Sequence, residues 1–159
     1  MPLLLRNVRE NRWHKSEAAP WLATGDVPAD PLGDLATKDN RLSVWEVAGD
    51  RSNVERILRA LAVNRDKIAD MGYVLFDSSL LVTAGIATVA ESGMTPDQGA
   101  NEWHRDLTDL SGNKLVMLTK LILENCESGT MLKKRLEQLV LDGIEQKQLP
   151  EKFRSKIEI

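Results

Sequence analysis

Residues 42–76 constrain the fold more than any other part of this chain. They begin Leu-Ser-Val-Trp-Glu-Val, pass through Asp-Arg-Ser-Asn and end Met-Gly-Tyr-Val-Leu-Phe. Leu42, Val44, Trp45 and Val47, mixed with Ser43 and Glu46, are residue types that favour a strand. Ser52 and Glu55 stand at the capping-box spacing that opens a helix. Val54, Ile57, Leu58, Leu61 and Ile68 then recur at the i, i+3, i+4, i+7 spacing of one buried face. Arg56, Arg59, Asn64 and Lys67 fall on the other faces. Gly72 predicts a left-handed helix stop, and Tyr73 to Phe76 reads as an apolar central strand. The segment is a βαβ-like unit, whose two strands run parallel if it is a right-handed crossover.

The flanks can be placed around that unit. Residues 3–8 predict a first strand. Residues 20–40 hold Pro20, Pro28, Pro31, Gly25 and Gly33, and read as an irregular Pro- and Asp-rich loop. The second half reads as mostly helical. Residues 80–90 suit a buried helix or a strand. Thr95-Pro96-Asp97-Gln98 has the signature of a helix start, with Ala100, Trp103, Leu107 and Leu110 along one face. Residues 114–126 are apolar on most sides, as in a helix that is central or lies at a subunit interface. Residues 127–129 predict a turn, and Leu132, Leu136, Leu139 and Val140 the inner face of a last helix. Residues 153–159 form a tail that pairs as a strand or stays free. The expected fold is α+β. One domain spans residues 1–159, with a small, mostly N-terminal sheet packed against a helical C-terminal half.

Composition narrows the function classes. At 159 residues the chain suits one domain with its own core. A net charge of −3 argues against a dedicated nucleic-acid binder, which carries a basic excess. Cys126 is the only cysteine, so no intrachain disulfide and no multi-cysteine metal site can form. It reads as a buried, inert thiol. The leading Leu3-Leu4-Leu5 run is too short for a signal peptide, and residues 80–90 are too short to span a bilayer. The expected location is cytoplasmic, with no membrane partner. Gly25, Gly33 and Gly49 are isolated, and no Walker lysine or Gly-x-Ser-x-Gly elbow exists. No cofactor is expected.

Four groups of residues are candidates for function. His14 and His104 each sit between a Trp and a basic residue, and could form a catalytic pair if they met in space. His104, with Glu102 and Asp106 near it, is the stronger candidate. Asp26, Asp30, Asp34 and Asp39 could serve such a site; their spacing is not that of an EF-hand, and no metal is assigned. Trp13 and Trp21 lie outside regular elements, where an indole pins a loop or presents a surface. With Leu118, Leu121 and Ile122 of the apolar helix, they are the interface candidates. Arg6, Arg9, Arg12 and Lys15 are the nucleic-acid candidates, although acidic residues interleave with other basic runs as on a solvated face.

The function these features favour is a small cytosolic protein-binding module without catalysis. An immunity or antitoxin-like inhibitor, or an accessory subunit of a larger complex, fits the size and acidity. Its partner is another protein or a second copy. The alternatives are a hydrolase or transferase using His104 with His14 or the loop aspartates, and a nucleic-acid-binding regulator.

Overall fold

The computed structural model describes residues 1–157. The molecule is α+β, with a six-stranded antiparallel sheet and helices on both of its faces. In chain order the elements are β1 (Leu3–Asn7), α1 (Lys15–Leu22), α2 (Ala29–Asp34), β2 (Leu42–Val47), α3 (Val54–Val63), β3 (Met71–Asp77) and α4 (Ser79–Ala84). They continue with β4 (Ala87–Ala90), β5 (His104–Thr108), α5 (Gly112–Asn125), β6 (Glu127–Met131) and α6 (Lys133–Glu145). Short 3₁₀ turns cover Glu10–Arg12, Ala100–Trp103 and Glu151–Lys156.

The strand order is β4-β5-β2-β1-β3-β6. β1 pairs antiparallel with both β2 and β3, so those two strands run in the same direction with β1 between them. The βαβ-like unit of residues 42–76 is therefore split: α3 carries the chain across β1 rather than to an adjacent strand.

Side-chain alternation along the strands builds two cores. Leu4, Val44, Val74, Phe76 and Leu107 face one side, where α1, the residue ending α2, α4 and α5 supply Ala18, Leu35, Leu81, Leu118 and Ile122. Leu5, Trp45, Val47, Met71 and Leu75 face the other, under Ile57 and Leu58 of α3 and Leu136 and Val140 of α6.

Several local expectations give way to tertiary structure. Residues 20–40 are irregular over 23–28 and 35–40, but include the end of α1 and the short helix α2. Pro31 stands in the first turn of α2, where its missing N–H has no helical partner to lose. Residues 80–90 divide into α4 and β4, separated by Gly85 at φ +66°. The expected helix from Thr95 shrinks to one 3₁₀ turn, and residues 104–107 pair with β2 instead. Residues 127–129 are not a turn but the start of β6, paired with β3. Asn53, not Ser52, precedes α3, and its side chain bridges Ala48 N–H and the Glu46 carbonyl.

Gly72 is a strand residue rather than a helix stop. Its missing side chain matters because a Cβ there would lie 2.5 Å from the Val8 carbonyl oxygen. In the tail, Glu151–Lys156 folds as a 3₁₀ turn that buries Phe153; residues 158 and 159 lie outside the described residues. Among the described residues no helix is long and apolar enough to cross a membrane.

Candidate functional site

β5 carries polar residues on alternate positions, and strand geometry turns His104 and Asp106 to the same face of the sheet. That face also bears Trp45, directly opposite His104 across the β2–β5 pairing. The two rings meet edge to face, with centroids 5.1 Å apart. Helices α3 and α6 cover the β1–β3 side of this face. The chain following β4 lies over Trp45 and His104. Gly93 permits that approach: a Cβ there would stand 2.7 Å from the Trp45 ring.

Buried polar contacts lock this covering segment. Asn101 accepts from the Thr95 N–H and hydroxyl, at 3.0 and 2.7 Å, and donates to the Thr95 carbonyl at 2.9 Å. Asp97, fully buried, accepts two hydrogen bonds from Arg56, at 2.8 and 2.9 Å, and one from Arg59 at 3.0 Å. Burial pushes the Asp97 carboxyl up. The hydrogen bonds from Arg56, Arg59 and the Ala100 N–H outweigh it and hold the group below the usual carboxylate range. The helix-start signature at Thr95 is thus used otherwise, with Asp97 turned inward to α3.

Beside this segment lies a cleft of about 770 Å³, lined among others by Asp39, Arg41, Trp45, Glu91, His104 and Asp106. His104 is 8% exposed. Its Nδ1 lies 2.6 Å from the Glu91 carbonyl oxygen, which can only accept, so Nδ1 carries a proton. In the neutral ring Nε2 is then an acceptor. It stands 3.5 Å from Asp106 Oδ1, beyond good hydrogen-bond distance. Arg41 spans the rim, 2.7 Å from Glu91 Oε2 and 3.4 Å from Asp106 Oδ2. At the same rim, Lys38 and Arg41 exchange two 3.0 Å backbone hydrogen bonds around Asp39 and Asn40, at φ +53° and +59°. This is the two-residue hairpin of I′ type, normally built with glycine. Chemically, the cleft sets an imidazole, its Nδ1–H fixed on the Glu91 carbonyl, beside a carboxylate.

The structure separates the two histidines. His14 sits 3.4 Å from Glu10, which accepts from Ser128 on β6. His104 is on β5, four strand spacings away, or about 19 Å at ~4.8 Å each. Of the loop aspartates, Asp39 reaches the His104 cleft. Asp26 closes on its neighbour's N–H, and Asp34 accepts from Arg9 N–H, Arg12 and the Trp13 indole at 3.0–3.1 Å. Asp106, one of the two acids named beside His104 in the sequence, shares its face only because residues 104–108 are a strand; on the expected helix residues i and i+2 do not face each other, and Glu102 falls outside the cleft lining. The alternation His-x-Asp-x-Thr was the available signal.

The interface candidates divide sharply. Trp13, Leu118 and Ile122 are core residues, each no more than 2% exposed. Leu121 packs partly buried against the same core, and Trp21 alone is broadly exposed. The basic N-terminal residues divide too. Arg12 pairs with Asp34, while Arg6 donates to the Ser43 carbonyl at 2.9 Å and to the Asp34 carbonyl at 3.4 Å. Arg9 and Lys15 are exposed. Burial pushes the Cys126 thiol up to about 11, so it is protonated at neutral pH.

The sheet's two edges differ. At β6, Glu127 pairs with Arg51 through two bonds of 2.7 and 2.8 Å, and Ser128 donates to Glu10. At β4, all four residues, Ala87-Thr88-Val89-Ala90, are exposed. Val89 is opposite Asp106 and shares the cleft face. Val82 and Met94, flanking β4 in the chain, are 72% and 92% exposed.

The chain matches no family model, no curated protein and no solved structure.

Proposed function

We propose that this protein works in the cytoplasm as a small, non-catalytic protein-binding module, an inhibitor or an accessory subunit of a larger complex. Its partner adds an extended segment to the β4 edge. One observation carries this reading: β4 is an edge strand whose four residues are all exposed and uncharged. Sheets guard their edges with short strands, charge, proline or covering chain; β4 is short, at four residues, but carries neither charge nor proline. Strand addition takes affinity from main-chain hydrogen bonds and specificity from alternate side chains. Val89 and the cleft residues beside it supply that second element.

The test is the complex isolated from the native source. Val89→Lys places a charge on the exposed edge without touching either core. It is expected to cut recovery of the stoichiometric partner about tenfold or more, a loss of ~1.4 kcal/mol, with the melting temperature unchanged. A partner retained in full by this variant, or a protein that purifies alone and monomeric, overturns the reading.

One observation favours a second reading as an enzyme. His104 is held by the Glu91 carbonyl so that Nε2, in the neutral ring, can accept a proton beside Asp106 and within the same cleft as Asp39. Hydrolysis of generic ester or phosphoester substrates that disappears in His104→Gln supports it. Turnover that survives in His104→Gln contradicts it.

A further inference from the structure

A second recess, of about 540 Å³, adjoins the His104 cleft and shares Arg6 and Asn7 with it. Three arginines from separate parts of the chain line it: Arg6 on β1, Arg9 beyond that strand and Arg65 beyond α3. Two acids also line it, and both have partners. Asp34 holds Arg12, the Trp13 indole and the Arg9 N–H, and Asp70 accepts the Lys133 N–H at 2.7 Å. The arginines are less satisfied. Among the described residues the Arg9 guanidinium makes no hydrogen bond. Arg65 donates to Asn7 Oδ1 with one nitrogen. Arg6 donates from its two terminal nitrogens to the Ser43 and Asp34 carbonyls, while its Nε is buried without a partner. Burial also pulls the Arg6 pKa down despite nearby Asp34, as for a cation whose charge is incompletely offset.

We propose that Arg6, Arg9 and Arg65 form a subsite for the phosphate group of a small molecule. Guanidinium forks match the oxygens of a phosphate, and such charge-assisted bonds are the strong ones. The recess has the size of a small-ligand pocket. Its opening into a cleft with Asp39, Glu91 and Asp106 disfavours a long polyanion, as does the chain's net charge of −3. The organic part of the ligand extends from Arg6 and Asn7 toward His104.

Nuclear magnetic resonance titration of the full chain tests this with three probes: inorganic phosphate, phenyl phosphate and a single-stranded oligonucleotide. Saturable shifts are expected with the first two, at the Arg9 and Arg65 side chains and at the amides of Asn7, Gly33 and Gly72. Arg9→Gln and Arg65→Gln, at exposed residues, should each weaken phenyl phosphate about tenfold or more while leaving the remaining spectrum folded. Absence of saturable shifts at millimolar phosphate overturns the proposal. So do affinities unchanged in the double variant, or binding of the oligonucleotide alone. None of these outcomes depends on the β4 edge.

Discussion

Asp97 is the residue on which the segment covering Trp45 and His104 depends. It is fully buried, and two arginines of α3 meet on it. Removing one partner of a buried charge cluster leaves the others uncompensated, which costs about 3–5 kcal/mol. Asp97→Ala is expected to lose about that much in urea unfolding at neutral pH, because Arg59, only 4% exposed, keeps its charge without a carboxylate. The pH dependence follows from the direction of the Asp97 shift. Its folded pKa lies below the unfolded value of about 3.9. The stabilisation is therefore complete above the unfolded value and is lost as pH falls through the folded one. Unfolding curves between neutral and acid pH should show that acid limb in the natural chain and a shallower one in Asp97→Asn. An identical limb in both would place the acid sensitivity elsewhere.

At the scale of elements, hydrophobic period is what the sequence exposes, and elements that lack it are hidden. β1, β2, β3 and the body of α3 emerge where expected because Leu4, Val44, Ile57, Leu58 and Val74 recur at the spacing of the surface they bury, although α3 ends at Val63, before Ile68. β5 does not, since His104, Arg105 and Asp106 are polar and only Leu107 reaches a core cluster. Its strand state comes from pairing with β2 and β4, a tertiary fact. The same error hid half of the candidate site. His104 and Asp106 are legible as near in sequence, but they share a face, and Arg41 and Glu91 join them, only once β5 is a strand. The cleft rim offers a test of local backbone. Asp39 and Asn40 both occupy the left-handed region without being glycine. Asn40→Gly produces the Asp-Gly pair that the I′ turn prefers, and should raise stability by up to about 1 kcal/mol. A loss of stability would show that the turn is held by something other than its backbone geometry.

For the whole molecule, the arrangement of layers decides what is left for function. Both faces of the sheet have their own core, so the helices that look adhesive in sequence, α5 above all, are spent on folding. Leu118 and Ile122 lie inside one core cluster, and Trp13 is hydrogen-bonded to Asp34 within it. Apart from the scattered exposed side chains of Met1, Trp21, Met117 and Leu132, the accessible apolar surface among the described residues is the β4 edge, with Val82 and Met94 near it in the chain, and the cleft beside it. β6, at the other end, carries charge instead: Glu127 pairs with Arg51, and Ser128 donates to Glu10. Binding through an edge therefore points to one end of the sheet. Hydrogen exchange of the protein, alone and in complex with its native partner, measures this directly. The outward-pointing amides on alternate residues of Ala87–Ala90 should exchange fast in the free protein and become protected in the complex, while β6 stays unchanged. Protection confined to β6 or to the helical faces, with β4 still exchanging freely, would contradict the account.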